Sequence, residues 1–149
     1  MPIYSTLASY KLCKIPLPDS GYLHEDDAKR SNQYHYSKHS PALPLYTQED
    51  AIQCLKYFKI IKFDTEVSLF PDILASWKYA SHILGAVYIE LQVEGYKALF
   101  SGDIGRTEDL VMNPPASPDN YRSLIIESTY GNRLHYDEDT LQIIASTIN

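Results

Sequence analysis

Along the chain the spacing of apolar positions changes period once, from about 3.6 residues in the first third to 2 beyond residue 60. Pro2-Ile3-Tyr4 reads as a short strand. Ser5 or Thr6 is then placed to cap a short helix carrying Leu7, Leu12 and Cys13, with Pro16 and Pro18 ending it. Residues 19–44 are polar and weakly patterned, an inserted loop region with a helix over His24–Gln33 opened by Glu25-Asp26-Asp27, acids that favour a helix N-terminus. Thr47-Gln48-Glu49-Asp50 has the form of a capping box, and Ala51, Ile52, Leu55 and Phe58 follow on one face of a helix near 48–58. Beyond it, strands are expected at Val67–Leu69 and Leu74–Tyr79. The clearest strand is Ala86–Val93, where Val87, Ile89, Leu91 and Val93 alternate with Tyr88, Glu90 and Gln92, one face buried and the other wet. Glu94-Gly95 is a tight turn, which returns Lys97–Phe100 as the second arm of a hairpin. A proline-rich loop spans Asn113–Pro118, Leu124-Ile125-Ile126 reads as a buried strand, and Leu141, Ile144 and Ile148 share one face of a last helix opened by Asp137-Glu138-Asp139.

Composition narrows the class. The chain has 149 residues, 44% apolar and 21% charged, which suits one folded domain and excludes a disordered polyelectrolyte or a collagen-like repeat. Its net charge of −6 also argues against bulk neutralisation of nucleic acid. The charge is uneven: residues 1–63 hold eight Lys/Arg against six acids, and residues 64–149 hold five against thirteen. No stretch is apolar for long enough to make a membrane helix, and the start lacks the basic and apolar run of a signal peptide, so a cytoplasmic protein is expected. Cys13 and Cys54 are too few for a disulfide framework or a cysteine zinc site. Thirteen tyrosines is a high count, and Tyr34-His35-Tyr36-Ser37-Lys38-His39 interleaves rings with basic groups in a way that can stack on nucleobases. Amphipathic tyrosines at a domain edge account for the pattern equally well. His35 and His39 have the i, i+4 spacing of a helical metal pair, but Ser40-Pro41 breaks a helix there, so a solvated loop is expected.

Three polar residues stand where strands end. His82 lies in the turn Ser81-His82-Ile83-Leu84-Gly85, Asp103 in Ser101-Gly102-Asp103-Ile104-Gly105-Arg106, and Glu127 directly after Leu124–Ile126. A rigid strand fixes such a group while its loop leaves room for a substrate. Imidazole and carboxylate together are common zinc or manganese ligands. Each also has an ordinary explanation on its own, as a hydrogen-bonded turn histidine, a Gly-Asp turn and a helix cap.

Taken in order with their flanks, Ser81-His82-Ile83-Leu84-Gly85, Phe100-Ser101-Gly102-Asp103-Ile104-Gly105-Arg106 and Glu127-Ser128-Thr129-Tyr130-Gly131-Asn132-Arg133-Leu134-His135 resemble the metallo-β-lactamase-fold nucleases of the β-CASP group, the RNA-processing relatives of the cleavage and polyadenylation endonuclease. Pro2-Ile3-Tyr4-Ser5-Thr6, Asp19-Ser20 and Pro44–Ala51 look like intervening segments of that family, so the resemblance covers roughly residues 3–135. It implies an α/β (α+β) fold: a partial metallo-β-lactamase αββα sandwich, mostly one mixed or antiparallel sheet with flanking helices. Residues 1–149 would be a single incomplete domain, with 128–149 starting the passage towards a β-CASP domain. By the same resemblance His82 binds one metal of a dinuclear zinc site, Asp103 bridges the two ions, and Glu127 is the catalytic acid that supports the metal shell or proton transfer. Arg133 and His135 are placed to meet substrate phosphate at the rim. A bridged metal pair suits phosphodiester hydrolysis, because it activates a water and stabilises both the attacking and the leaving oxygen. RNA is the implied partner.

The family's main ligand motif, His-x-His-x-Asp-His, occurs nowhere in this sequence. The expectation is therefore the middle piece of a ribonuclease, with the isolated chain binding zinc weakly or not at all and lacking activity. Ser81 stands where the family more usually has Gly. Two other readings stand beside this one. The first is a truncated non-catalytic protein or binding subunit, self-associating through exposed sheet edges. The second is a metallo-β-lactamase-fold hydrolase of another ester, against which Glu127–Gly131 argues.

Overall fold

The structure, a computed structural model, describes residues 1–132 and 139–148. Strand β1 (Ile3–Ser5) is followed by helices α1 (Leu7–Cys13), α2 (Pro16–Tyr34) and α3 (Gln48–Cys54), a 3₁₀ turn at Leu55–Tyr57 and strand β2 (Phe58–Ile60). Five strands follow: β3 (Glu66–Phe70), β4 (Ile73–Tyr79), β5 (Val87–Val93), β6 (Tyr96–Phe100) and β7 (Ser123–Ile125); α4 (Thr140–Ile148) comes last. The fold is mixed α/β, as expected.

Local chemistry explains most boundaries. Thr6 caps α1, its hydroxyl accepting from the Ser9 N–H. Thr47 and Asp50 close a full capping box on α3: the Asp50 N–H donates to Thr47 Oγ1 at 3.1 Å and the Thr47 N–H to the Asp50 carboxylate at 2.9 Å. The helix expected over His24–Gln33 is present but longer: α2 runs for 19 residues from Pro16 to Tyr34, and the irregular part of the expected loop region begins only after it. Pro16 does not only end what precedes it; it occupies the first turn of α2, where its missing N–H has no helical partner to lose. Helix α3 stops at Cys54, so Phe58 belongs to β2 rather than to the helix.

Strands β1 and β2 pair in parallel, and β3-β4-β5-β6-β7 form the main sheet, antiparallel except for the parallel pair β6–β7. Glu94 and Gly95 both have positive φ, 49° and 80°, the primed two-residue turn that matches the twist of a β-hairpin. Because β4 and β6 both run against β5, and β7 runs with β6, the C-terminal ends of β4, β6 and β7 lie along one edge.

Both faces of the sheet carry buried residues. On one, Ala75 and Trp77 are buried, with the Tyr4 ring 5.7 Å from that of Trp77, joining the small sheet to the large one. On the other, Tyr88 is 2% exposed and packs with Ala80 and Leu99 under Ala116 and Tyr121. The face expected to be wet is thus covered where the loop 113–121 folds over it, tied by the Ala116 N–H to the Tyr79 carbonyl at 2.8 Å. Glu90, on that face, accepts from Ser76 Oγ at 2.6 Å and from the Tyr121 hydroxyl. Leu124 and Ile125 are exposed, because β7 is the edge of the sheet and pairs only with β6.

Candidate functional site

The edge at which β4, β6 and β7 end carries His82, Asp103 and Glu127, each two or three residues beyond its strand. They line one open cavity of about 420 Å³, together with Ser81, Ile104, Gly105, Arg106, Asp109, Thr129 and Tyr130. Arg106, Asp109, Thr129 and Tyr130 carry no individual mark in the sequence, although Arg106, Thr129 and Tyr130 stand within the motifs that hold Asp103 and Glu127, and Asp109 follows one of them. Arg133 and His135 lie outside the described residues.

Small residues make the convergence possible. The Gly105 N–H donates to the Ala80 carbonyl at 2.8 Å, seating the Asp103 loop on the His82 turn. A Cβ on Gly105 would overlap the His82 backbone nitrogen, so only glycine allows this approach. From the other side, Thr6 Oγ1 and Ser9 Oγ both donate to the Gly85 carbonyl, at 3.0 and 3.2 Å. The turn itself is tightly wound: Ser81, His82 and Gly85 have φ of 66°, 31° and 93°. At Ser81 the family's more usual glycine would adopt this left-handed backbone at lower cost. Ser81 is nevertheless almost wholly buried there.

A second link joins Asp103 to Glu127. Ser101, 1% exposed, accepts the Glu127 N–H on its hydroxyl at 3.1 Å and donates to the Gly102 carbonyl at 2.7 Å. The Glu127 carboxylate in turn accepts the Ile104 N–H at 2.8 Å. That bond, then one from the Thr129 side chain and the nearby His82 imidazole, holds the Glu127 carboxyl below the usual range, against a smaller opposing effect of desolvation. Asp109 is lowered similarly, first by the Met112 N–H and then by the Val111 N–H.

Whether these groups suit a metal can be judged from their geometry. His82 Nε2 and Asp103 Oδ2 are 3.8 Å apart, too far for a hydrogen bond. That separation suits two ligands of one ion, whose bonds to nitrogen or oxygen are each about 2.0–2.2 Å. Both side chains are substantially exposed, at 45% and 70%. Glu127 is already engaged by the Ile104 N–H. Among the described residues no group of three or more His, Cys, Asp or Glu is arranged to hold an ion. The cavity therefore fits two ligands of a metal centre in chemistry and spacing and does not complete one.

A mixed sheet with imidazole and carboxylate converging at its strand ends is the arrangement that the metallo-β-lactamase resemblance implied. No family model matches the chain. Among curated proteins it is 32% identical over 114 residues to Endoribonuclease YSH1 of Candida glabrata, covering 70% of this chain and 14% of that protein. It is 34% identical over 95 residues to Cleavage and polyadenylation specificity factor 73 of Drosophila melanogaster, covering 61% of this chain and 13% of that protein. To Ribonuclease TTHA0252 of Thermus thermophilus it is 26% identical over 153 aligned residues, covering 99% of this chain and 31% of that protein. The chain belongs to the metallo-β-lactamase-fold, β-CASP-type RNA-processing nucleases. It spans less than a third of the length of each of these relatives. Among the described residues no helix is long and apolar enough to cross a membrane.

Proposed function

We propose that this chain contributes the central part of a metal-dependent RNA phosphodiester hydrolase, and that the cavity at the ends of β4, β6 and β7 is its part of the active site. The observation that carries this reading is the convergence of His82, Asp103 and Glu127 from three strands on one cavity, the first two 3.8 Å apart. In this reading His82 and Asp103 are metal ligands. The metal, zinc by the family resemblance, supplies an activated water and charge neutralisation at the phosphodiester when bound.

The chain's own residues perform the positioning. The Gly105 approach and the Thr6–Ser9 clasp hold the imidazole beside the Asp103 loop. Glu127 fixes that loop through the Ile104 N–H, and its carboxylate at the cavity wall serves as a proton acceptor. Arg106 is the cation on the described wall that can face an anionic substrate, offsetting the charges of Asp103, Asp109 and Glu127.

The test supplies the ligands this sequence lacks. The chain is co-expressed with a segment of a relative that carries His-x-His-x-Asp-His, and cleavage of labelled RNA and bound metal are measured. The expected result is metal-dependent cleavage by the pair, lost in His82→Ala and Asp103→Asn, while the chain alone holds less than one equivalent of metal and cleaves nothing. Cleavage that survives both substitutions would refute the reading. A self-associating binding subunit is the reading favoured by the exposed edge of β7, where Leu124, Ile125 and Ile126 face solvent. Sedimentation as a concentration-independent monomer removes that reading.

A further inference from the structure

We propose a second RNA-binding surface outside the cavity: the last residue of α2 and the loop after it, residues 34–39, act as a stacking platform for single-stranded RNA. The proposal goes beyond the active-site reading and takes from it only the class of ligand.

Three observations support it. The loop is held at its base, because the Asn32 side chain both donates to the Ala42 carbonyl at 2.9 Å and accepts the Ala42 N–H at 2.7 Å. Within it, the His39 N–H bonds Ser37 Oγ at 3.1 Å, and His35 takes the left-handed conformation that ends α2. The loop's shape thus rests on polar and backbone bonds, and its rings are left outward: Tyr34 is 67% exposed and Tyr36 64%. Finally, no Asp or Glu occurs from Ala28 to Gln48, while Lys29, Arg30 and Lys38 do, in a chain of net charge −6. Arg30 is paired with Asp26 at 2.8 Å, so the electrostatic part is assigned to Lys29 and Lys38.

Flat amphipathic rings on a preorganised loop, accompanied by cations in a stretch with no acid from residue 28 to 48, match what single-stranded nucleic acid needs: π-faces for bases and positive charge for phosphates. Two bases could stack without sequence preference, since every base has a π-face. A protein partner would instead use the aliphatic groups just beyond, Leu43 and Leu45, which are also exposed. None of these residues lines the cavity.

The test measures binding of the whole 149-residue chain to a labelled uridine oligomer of about ten nucleotides and to an abasic oligomer of the same length, as salt is raised. The wild type should prefer the uridine oligomer by about tenfold or more. Tyr34→Ala/Tyr36→Ala should bind both oligomers equally, at the abasic level. Lys29→Gln/Lys38→Gln should weaken both and lower the salt slope by about 0.7 for each phosphate no longer neutralised, whereas Lys59→Gln/Lys62→Gln should change neither. A base preference that persists without the two tyrosines overturns the inference, as does a wild type that binds neither oligomer. So does loss of binding in Leu43→Ser/Leu45→Ser with the tyrosines intact, or an equal effect of the two lysine pairs. These outcomes leave the active-site reading untouched, because that reading stands or falls on cleavage; equally, failed cleavage with an intact base preference refutes only the active-site reading.

Discussion

The helical pair α2–α3 and the strand-end rim both depend on a glycine pressed against backbone, yet they are secured in opposite ways. Between the helices, a Cβ on Gly21 would lie 2.6 Å from the Thr47 carbonyl oxygen, and the surrounding bonds are largely exposed: Glu25 to the Gln48 N–H, Ser20 to Tyr46, and the Thr47–Asp50 box. At the rim, Gly105 presses on buried Ser81 and the His82 main chain, and the buried hydroxyls of Thr6 and Ser101 bond the Gly85 carbonyl and the Glu127 N–H, while the proposed ligands His82 and Asp103 remain open to solvent. Buried polar bonds are costly to break, because a lost partner leaves a desolvated group unpaired. The rim therefore places its rigidity beneath the proposed ligands and not in them. The helical pair has no such division.

The contrast can be broken most strongly at Gly105. Gly105→Ala drives a methyl into main chain that cannot yield, so a loss of about 3 kcal/mol or more is expected in urea unfolding, together with loss of any metal bound by His82 and Asp103. Gly21→Ala meets backbone at a slightly longer distance and should cost about 2–3 kcal/mol in the same measurement, leaving the cavity as it is. Thr47→Ala removes the cap of α3 and should cost about 1 kcal/mol. His82→Ala and Asp103→Asn should change stability by less than about 0.5 kcal/mol, since neither side chain is buried. A large destabilisation by either would show that rigidity and chemistry are not separated at the rim.

The smallest effect is one of pH, and it belongs to the helical pair. The Thr47 main-chain N–H, then its hydroxyl, holds Asp50 below the ordinary aspartate range. Its proton thus binds the unfolded chain first as pH falls. The cap's contribution is complete above about pH 4 and is lost as pH drops through the folded value. Asp50→Asn should flatten that part of the acid unfolding curve. On the sheet, Tyr121 is shifted the other way, by desolvation and then by its bond to Glu90. The folded state keeps that proton longer, so stability should fall above about pH 10, and Tyr121→Phe should reduce the slope.

What is legible in the sequence follows the same divide between local and assembled features. Strict alternation announces β5, and the capping box announces α3, because both signals lie within a few residues of the structure they specify. Helix α2 is longer than its pattern suggests, because Pro16 and Pro18 resemble stops although a proline in a first turn is compatible with the helix that follows. Tyr88 falls on the face that alternation marks as wet, and alternation cannot reveal that a loop some thirty residues later folds over it. At the site, strand ends point to His82, Asp103 and Glu127, and the cavity unites them. The bonds that align them have no local signal. Thr6 and Gly85 are far apart in the chain, and so are Ser101 and Glu127; such pairings exist only once the sheet has formed.

The bond from the Ile104 N–H to Glu127 has a consequence for how this family varies. The carboxylate reads a peptide group, not a side chain, so position 104 can accept any residue whose backbone keeps that N–H in place. Proline alone removes the donor outright. A structurally demanding point in the rim would therefore look permissive when homologous sequences are compared, marked by one forbidden residue and by no required one.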